Sequence, residues 1–279
     1  MNESASEGLL ELLFVLGRDG RTQLASRAQR FPLRFTAPMY LDPADRGMAF
    51  VYVQNPTGGL FAGDRLVTRI VAEAGARVHL TTPAATKVYR MEQGEARQRM
   101  EIHLGNDAYL EYVPEPLIPQ AGSRLEQALH VELGEGAAFF GAEAIAPGRF
   151  ARGEAFAYDR LLLRTSVSAG AEELCADTLL LEPAKRSPAR RGLLGVYPYL
   201  GTAFAAAPRV DCEELADRLD ESVRDAPGCL AGAGALPSAA GAFARVLAST
   251  SSAARSALER AWGAAREALI GSVPPARRK

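Results

Sequence analysis

The chain of 279 residues is poor in side chains that bind metals tightly or form disulfides, with only three cysteines and three histidines. Cys175, Cys212 and Cys229 lie far apart and are odd in number, so a disulfide framework is not expected. The sequence has no CxxC pair and no HExxH motif, and therefore no strong metal-binding signature. This composition fits a reducing cytoplasm and argues against a small disulfide-stapled fold.

Net charge is also nearly absent, because 32 Lys and Arg residues balance 33 Asp and Glu residues. That balance argues against a strongly basic nucleic-acid binder, and the basic ARRK end (276–279) is interpreted as a solvated tail. No run approaches the roughly 20 apolar residues that a membrane span needs. The apolar segment 8–17 contains Glu11 and follows an acidic, Ser-rich start, so we do not interpret it as a secretory signal.

What the chain does have is a long region, 9–182, in which apolar residues recur at every second position. Such alternation is typical of half-buried strands. A weak repeat of strand, glycine-containing or acidic turn and second strand occurs four times, and the turn chemistry suits hairpins. We therefore predict an all-β dominated fold, a layered and β-helix-like stack of antiparallel strands. The four repeats are residues 71–80, 103–112, 132–141 and 166–175.

The pattern changes in the last third of the chain. Segment 185–208 is rich in Gly, Pro and Arg without either period, and it predicts an irregular surface loop. Segment 209–271 predicts two α-helices and a strand packed on the β body, with Asp211 as the first N-cap and Gly271 as the last stop. We find no linker, so the prediction is one domain over 1–279.

The sequence NPTGGLFAGDR (55–65) carries Gly58 and Gly63 at the spacing of a phosphate-binding loop. Asp64 and Arg65 stand where that loop needs Lys and Ser or Thr, and an alternating strand pattern follows where a helix is required. A nucleotide site is therefore disfavoured. An ordinary glycine-rich connection, or a carboxylate held on a rigid turn, remain as alternatives.

The three histidines suggest an alternative function. His79, His103 and His130 each lie between two apolar strand residues, so all three are predicted to project from the face opposite the core. Three imidazoles on neighbouring strands can bind zinc, which would make the protein a β-helical metalloenzyme. Separate, hydrogen-bonded histidines explain the same pattern. The residues by themselves favour a binding scaffold over an enzyme, because no nucleophile–base arrangement stands out.

Four segments are long and unusual: NPTGGLFAGDRL, TTPAATKVYR, LEYVPEPLIPQAGS and EAIAPGRFARGE. In this order and at this spacing, they resemble the urease accessory protein UreD family, called UreH in some organisms. The resemblance extends to the opening strands and to the segment before the last helix, so it covers nearly the whole chain. Thr57 and Ala62 replace glycines that are more usual in the family, and residues 187–191 occupy a region expected to contact a partner.

The resemblance implies a non-enzymatic protein of urease maturation. Family members help load nickel into apo-urease, bind UreF and through it UreG, and contact urease itself. The implied fold is a helix-like stack of strands with two C-terminal helices, and nickel is thought to pass through an internal water-filled tunnel. No tightly bound cofactor is expected, only transient Ni²⁺, and the implied location is cytoplasmic, with no nucleic-acid or membrane partner.

The resemblance also implies site residues. Asp64, Glu143 and Glu182 are the candidates for a nickel path, since weak oxygen ligands would let Ni²⁺ leave, whereas imidazole and thiolate hold it more tightly. No tight metal site is expected. Family-motif positions without an assigned role are Gly59, Gly63, Thr86, Lys87, Tyr89, Arg90, Glu115, Pro116, Arg149 and Glu154.

Overall fold

The computed structural model describes residues 6–275, so the basic tail predicted at 276–279 lies outside the described residues. The described part is strand-dominated and ends in two helices, α1 (Cys212–Val223) and α2 (Ser251–Ile270). Neither helix within 6–275 is long and apolar enough to cross a bilayer. The strands are β1 (Glu7–Leu16), β2 (Thr22–Arg30), β3 (Arg34–Phe35), β4 (Ala49–Gln54), β5 (Arg65–Ala72), β6 (Arg77–Thr81), β7 (Thr86–Val88), β8 (Ala96–Leu104), β9 (Tyr109–Tyr112), β10 (Leu117–Pro119), β11 (Arg124–Leu133), β12 (Ala138–Ile145), β13 (Arg160–Ala169), β14 (Glu172–Leu181), β15 (Tyr199–Ala206), β16 (Cys229–Ala235) and β17 (Gly241–Ala248).

Two sheets face each other, and the chain crosses between them repeatedly. The seven-stranded sheet has the order β14-β13-β11-β8-β5-β1-β2. The ten-stranded sheet has the order β16-β17-β15-β12-β9-β6-β4-β3, with the short β7 and β10 attached at its side. From β4 to β13 each coil adds a strand to both sheets, which produces stacked coils resembling a β-solenoid.

Strand direction in the coils differs from the sequence prediction. The predicted strand-dominated, helix-like stack is confirmed, but β5, β8, β11 and β13 pair in parallel, and so do β4, β6, β9 and β12. Antiparallel pairs lie towards the ends of the sheets, as in β1–β2 and β13–β14. A positive φ in the turn does not separate the two cases: Gly75, Asp107 and Gly136 lie where the chain crosses to the other sheet, whereas Gly20 and Gly170 lie in the hairpins β1–β2 and β13–β14.

The apolar side chains form two main layers of core. One fills the space between the sheets, and the other lies between the ten-stranded sheet and the two helices, where Leu215, Leu219 and Trp262 are buried. Both predicted helix boundaries are confirmed. Asp211 accepts hydrogen bonds from the amides of Glu213 and Glu214, and Gly271 ends α2 with a φ of 69°.

The predicted loop 185–208 is wrong for its second half, because Tyr199–Ala206 forms β15 inside the ten-stranded sheet. This strand is buried on both faces, under the helices and against the other sheet, so its sequence shows no apolar–polar alternation. The region 209–271 likewise contains two strands where one was predicted. The extra strand, β16, has the Gly- and Ala-rich sequence CLAGAGA, which has low strand propensity.

Candidate functional site

A polar cavity lies between the two sheets, where most of the interior is apolar. Its volume is about 50 Å³, and one water molecule needs about 10–15 Å³ of such space. The cavity can therefore hold a few water molecules or a partly hydrated ion. Its polar lining consists of Gln98, Tyr112, Gln127, Glu143, Thr165, Asp177, Thr202 and Arg245.

Strand register explains why these polar groups meet. On the ten-stranded sheet, Glu143, Thr202 and Arg245 lie side by side on β12, β15 and β17. On the facing sheet, Thr165 and Asp177 are paired neighbours on β13 and β14. All five occupy inward positions of strands that elsewhere direct apolar side chains into the same space. The sequence thus replaces apolar core with polar side chains at one end of the sandwich.

Glu143 is the carboxylate whose environment is most unusual in this cavity. Burial raises its pKa to about 7, and the charge of Asp177 acts in the same direction. A hydrogen bond from Gln127 Nε2 to Glu143 Oε1 and the charge of Arg245 oppose that rise without cancelling it. Arg245 thus acts on Glu143 through its charge, but within residues 6–275 Glu143 forms no ion pair.

Asp177, the second carboxylate, is paired with a cation. Arg245 Nη2 donates to both of its oxygens, at 3.0 and 3.1 Å. Arg245 Nη1 also donates to Thr202 Oγ1 at 2.8 Å, and its guanidinium lies 4.8 Å from the ring centroid of Phe243. The cavity thus combines one compensated carboxylate with one that is not compensated.

Asp64, the first nickel-path candidate, is elsewhere. Its side chain is buried, and its two oxygens accept hydrogen bonds from the amides of Ser6 and Phe61, both at 2.9 Å. It does not line the polar cavity. The carboxylate fixes the turn before β5 to the start of the chain, and any contact with nickel stays a prediction.

The glycine loop around Asp64 connects two strands and is held by hydrogen bonds within the loop. Gly58 and Gly63 adopt φ values of 84° and 80°, and Asn55 Nδ2 donates to the carbonyl of Gly59 at 2.9 Å. A Cβ on Gly59 would lie 2.5 Å from the carbonyl oxygen of Lys87, so glycine is needed for this close approach. The loop leads into strand β5 and not into a helix, which removes the geometry of a phosphate-binding loop.

Several other family-motif positions lie in or beside the short paired strands β7 and β10. The Thr86 amide donates to the Pro116 carbonyl at 2.9 Å, and Tyr89 stacks on Phe61 at 4.7 Å. Lys87 and Arg90 are exposed in the same segment. These residues lie together, outside the polar cavity.

The remaining predicted residues form ion pairs. Glu115 pairs with Arg255 of α2 at 2.9 Å, and Arg149 Nε donates to Glu154 at 2.7 Å. Glu182 pairs with exposed Lys185 at 2.9 Å and does not line the cavity. Of the three nickel-path candidates, the structure places Glu143 alone in the cavity.

The three-histidine site is wrong. His79 lies on the ten-stranded sheet beneath α2, with Nδ1 2.7 Å from Glu111 Oε1. His103 and His130 lie on the other sheet, beside Glu132 and Ser166. Within residues 6–275 no group of three or more His, Cys, Asp or Glu side chains can hold a metal ion. The prediction failed because His79 belongs to one sheet, whereas His103 and His130 belong to the other, and the outer faces of the two sheets point away from each other.

A buried ionic network under α2 was missed by the sequence reasoning. Glu111 accepts from Arg266 Nη1 at 2.9 Å, from Trp262 Nε1 at 2.8 Å and from Tyr109 at 2.9 Å, in addition to its contact with His79. Arg266 is fully buried and also pairs with Asp42. Sequence reasoning also missed Asp177 and Arg245, although a charged residue at an inward position of an alternating strand is a usable signal.

The sequence is similar to known proteins over nearly its whole length. The sequence model of the UreD urease accessory protein family matches residues 6–279. The chain is 37% identical to urease accessory protein UreD 2 of Streptomyces griseus over 99% of this chain and 94% of that protein. It is 36% identical to urease accessory protein UreD of Haloarcula marismortui over 98% and 90% of the two chains, and 34% identical to that of Mycolicibacterium gilvum over 94% and 95%. The chain therefore belongs to the UreD urease accessory protein family, whose members are maturation factors and not enzymes.

Proposed function

We propose that this chain acts in urease maturation as a nickel conduit, a metallocentre-assembly chaperone that delivers Ni²⁺ to the apo-urease active site. The observation that carries the proposal is the polar cavity between the sheets, with Glu143 as its uncompensated carboxylate. Family membership supplies the connection to urease.

The lining suits an ion in transit. It offers oxygen atoms from Glu143, Thr165 and Thr202, and none of its described lining residues carries an imidazole or a thiol. Oxygen donors and water hold Ni²⁺ more weakly than nitrogen and sulfur ligands do. A conduit needs sites that an ion enters favourably and leaves readily. The donor set therefore supports passage and not storage, with no tightly bound cofactor.

The partners of this proposal are UreF, UreG acting through UreF, and the urease apoprotein, all in the cytoplasm. Nucleic acid and membrane have no part in it. Of the three nickel-path candidates, Glu143 carries the proposal. Asp64 and Glu182 do not, because their oxygens already bond the amides of Ser6 and Phe61 and the ammonium of Lys185.

Nickel loading of urease in cells tests the proposal. The chain, or its Glu143→Gln variant, is co-expressed with UreF, UreG and urease in limiting nickel. We expect the variant to lower both the nickel content and the activity of urease, while the same amount of UreF co-purifies with it. Glu182→Gln, which changes a carboxylate outside the cavity, is the matched control. Full nickel content with Glu143→Gln would contradict the conduit.

A further inference from the structure

We infer that Arg245 sets how tightly the cavity holds a divalent cation, because it neutralises Asp177 and leaves Glu143 as the one carboxylate without an ion pair among the described residues that line the cavity. This inference rests on the proposed function, since it concerns the ion that would pass through the cavity. It makes Arg245 a positioning residue that keeps the cavity from binding the ion too tightly to release it.

The geometry of Arg245 supports a fixed and dedicated cation. One guanidinium nitrogen reaches both oxygens of Asp177, and the other bonds Thr202 Oγ1 at 2.8 Å. The guanidinium carbon of Arg245 also lies over the ring of Phe243, 4.8 Å from its centroid. These contacts use Arg245 on two sides and hold its charge in one place at the end of the cavity.

Arg245 does not serve Glu143 in the same way. The two side chains lie on β17 and β12, with β15 between them, so two strand spacings separate their backbones by about 10 Å. Glu143 receives its hydrogen bond from neutral Gln127. Of the described residues that line the cavity, Glu143, Asp177 and Arg245 are charged, so the cavity carries one negative unit when Glu143 is ionised.

The consequence for a divalent ion follows from this charge. With Arg245 present, an entering ion meets one free carboxylate and neutral oxygens, which attract it weakly. Without Arg245, Asp177 and Glu143 would both face the same water-sized space, and two carboxylates with amide and hydroxyl oxygens form a stronger site for a divalent cation. Arg245 therefore decides whether the cavity lets a divalent cation pass or binds it tightly.

Four variants of the full-length chain test the inference by calorimetric titration with Ni²⁺ alone. We expect Arg245→Met to bind Ni²⁺ at least about tenfold more tightly than the wild type, since a unit charge a few ångströms away has a large effect in a partly buried site. Asp177→Asn should bind more weakly than the wild type. The double variant Arg245→Met/Asp177→Asn should return to wild-type affinity, because its cavity charge is again one negative unit. Arg245→Lys keeps the charge and should also remain close to wild type.

The inference is overturned if Arg245→Met, folded by circular dichroism, binds Ni²⁺ no more tightly than the wild type, or if the double variant binds as tightly as Arg245→Met. Should Arg245→Met not fold, Asp177→Asn and the double variant decide, because the inference requires the double variant to bind more tightly than Asp177→Asn.

Failure of the proposed function gives a different result. In that case Glu143→Gln and Arg245→Met leave nickel loading of urease unchanged, even where the titration shows tighter binding by Arg245→Met. If the titration shows no tightening but Glu143→Gln still lowers loading, the inference about Arg245 fails and the proposed function stands.

Discussion

Glu111 and Glu143 lie on neighbouring strands of the ten-stranded sheet, β9 and β12, but on opposite faces and in opposite electrostatic states. Burial by itself acts to raise the pKa of both carboxyls. For Glu143 burial prevails and the pKa reaches about 7, whereas for Glu111 the contacts with His79, Arg266 and Trp262 outweigh burial and lower the pKa. The supply of partners therefore separates a carboxylate that joins the helix layer to the sheet from one that lacks an ion pair within the described residues.

The two regions also differ in what they do for the fold. The network of Glu111 and Arg266 joins α2 to the sheet through donors on both elements, so it stabilises the packing of the helix layer. The cavity around Glu143 replaces apolar packing with water-sized space and an acid whose hydrogen bond comes from neutral Gln127, which costs stability. Such a cost at one place in an otherwise apolar interior is the pattern expected of a functional site.

The largest expected effect comes from breaking the network under α2. Arg266→Met leaves Asp42 and Glu111 buried without their cation, and we expect a loss of about 3–5 kcal/mol in the free energy of unfolding. Urea denaturation measures it. Arg218→Met, which removes an exposed pair with Glu214 on α1, is the control and should cost less than about 0.5 kcal/mol. Equal losses for the two variants would contradict the network's role.

The next effect is a pH dependence at Glu143. Its pKa is raised from 4.5 in the unfolded chain to about 7 in the fold, so the folded state binds the proton more tightly. Stability from this group is present below pH 4.5 and is lost as pH rises to about 7. Glu143→Gln should abolish that loss, a relative gain of about 2–3 kcal/mol at neutral pH in chelator-treated protein. Denaturation curves between pH 4.5 and 8 measure it, and a gain that is the same at every pH would refute it.

A smaller effect is expected at Asp64. Asp64→Asn keeps one acceptor oxygen but directs an NH₂ group at a backbone amide, either that of Ser6 or that of Phe61. We expect a loss of about 2 kcal/mol of stability, because a buried amide loses its partner. Thermal unfolding measures this loss. A variant with wild-type stability would show that the carboxylate is not needed for the turn, and would restore interest in it as a nickel contact.

The smallest effect is expected at Glu182. Its partner Lys185 is largely exposed, and pairs of this kind contribute about 0–1 kcal/mol. Glu182→Gln should therefore leave the urea midpoint within error of the wild type. A loss comparable to that of Asp64→Asn would show that Glu182 has a structural contact beyond Lys185.

Sequence reasoning could find much of the fold and less of the site. Alternation located the strands of the coils, and Asp211 and Gly271 marked helix ends, because these signals are local. The direction of strand pairing was not predictable from turn chemistry, since positive φ at Gly75 and at Gly170 serves a crossing in one case and a hairpin in the other. β15 was missed because a strand buried on both faces has no alternation to read.

The candidate site was likewise only partly predictable from the sequence. Glu143 was identified through the family resemblance, but its neighbours were not, because Asp177 and Arg245 lie 68 residues apart and on different sheets. Their pairing depends on how the two sheets face each other, which the sequence pattern of a single strand does not contain. The burial of His79 under α2 is likewise a tertiary effect, which no alternation pattern indicates.

The most direct measurement is the transfer of nickel to purified apo-urease from a complex of this chain with UreF and UreG. Nickel per urease active site is followed over time at limiting nickel, for the wild type and for Glu143→Gln with equal amounts of bound UreF. The account predicts that the variant transfers nickel at least several-fold more slowly. Identical time courses for the two complexes would contradict the claim that the ion passes the cavity lined by Glu143.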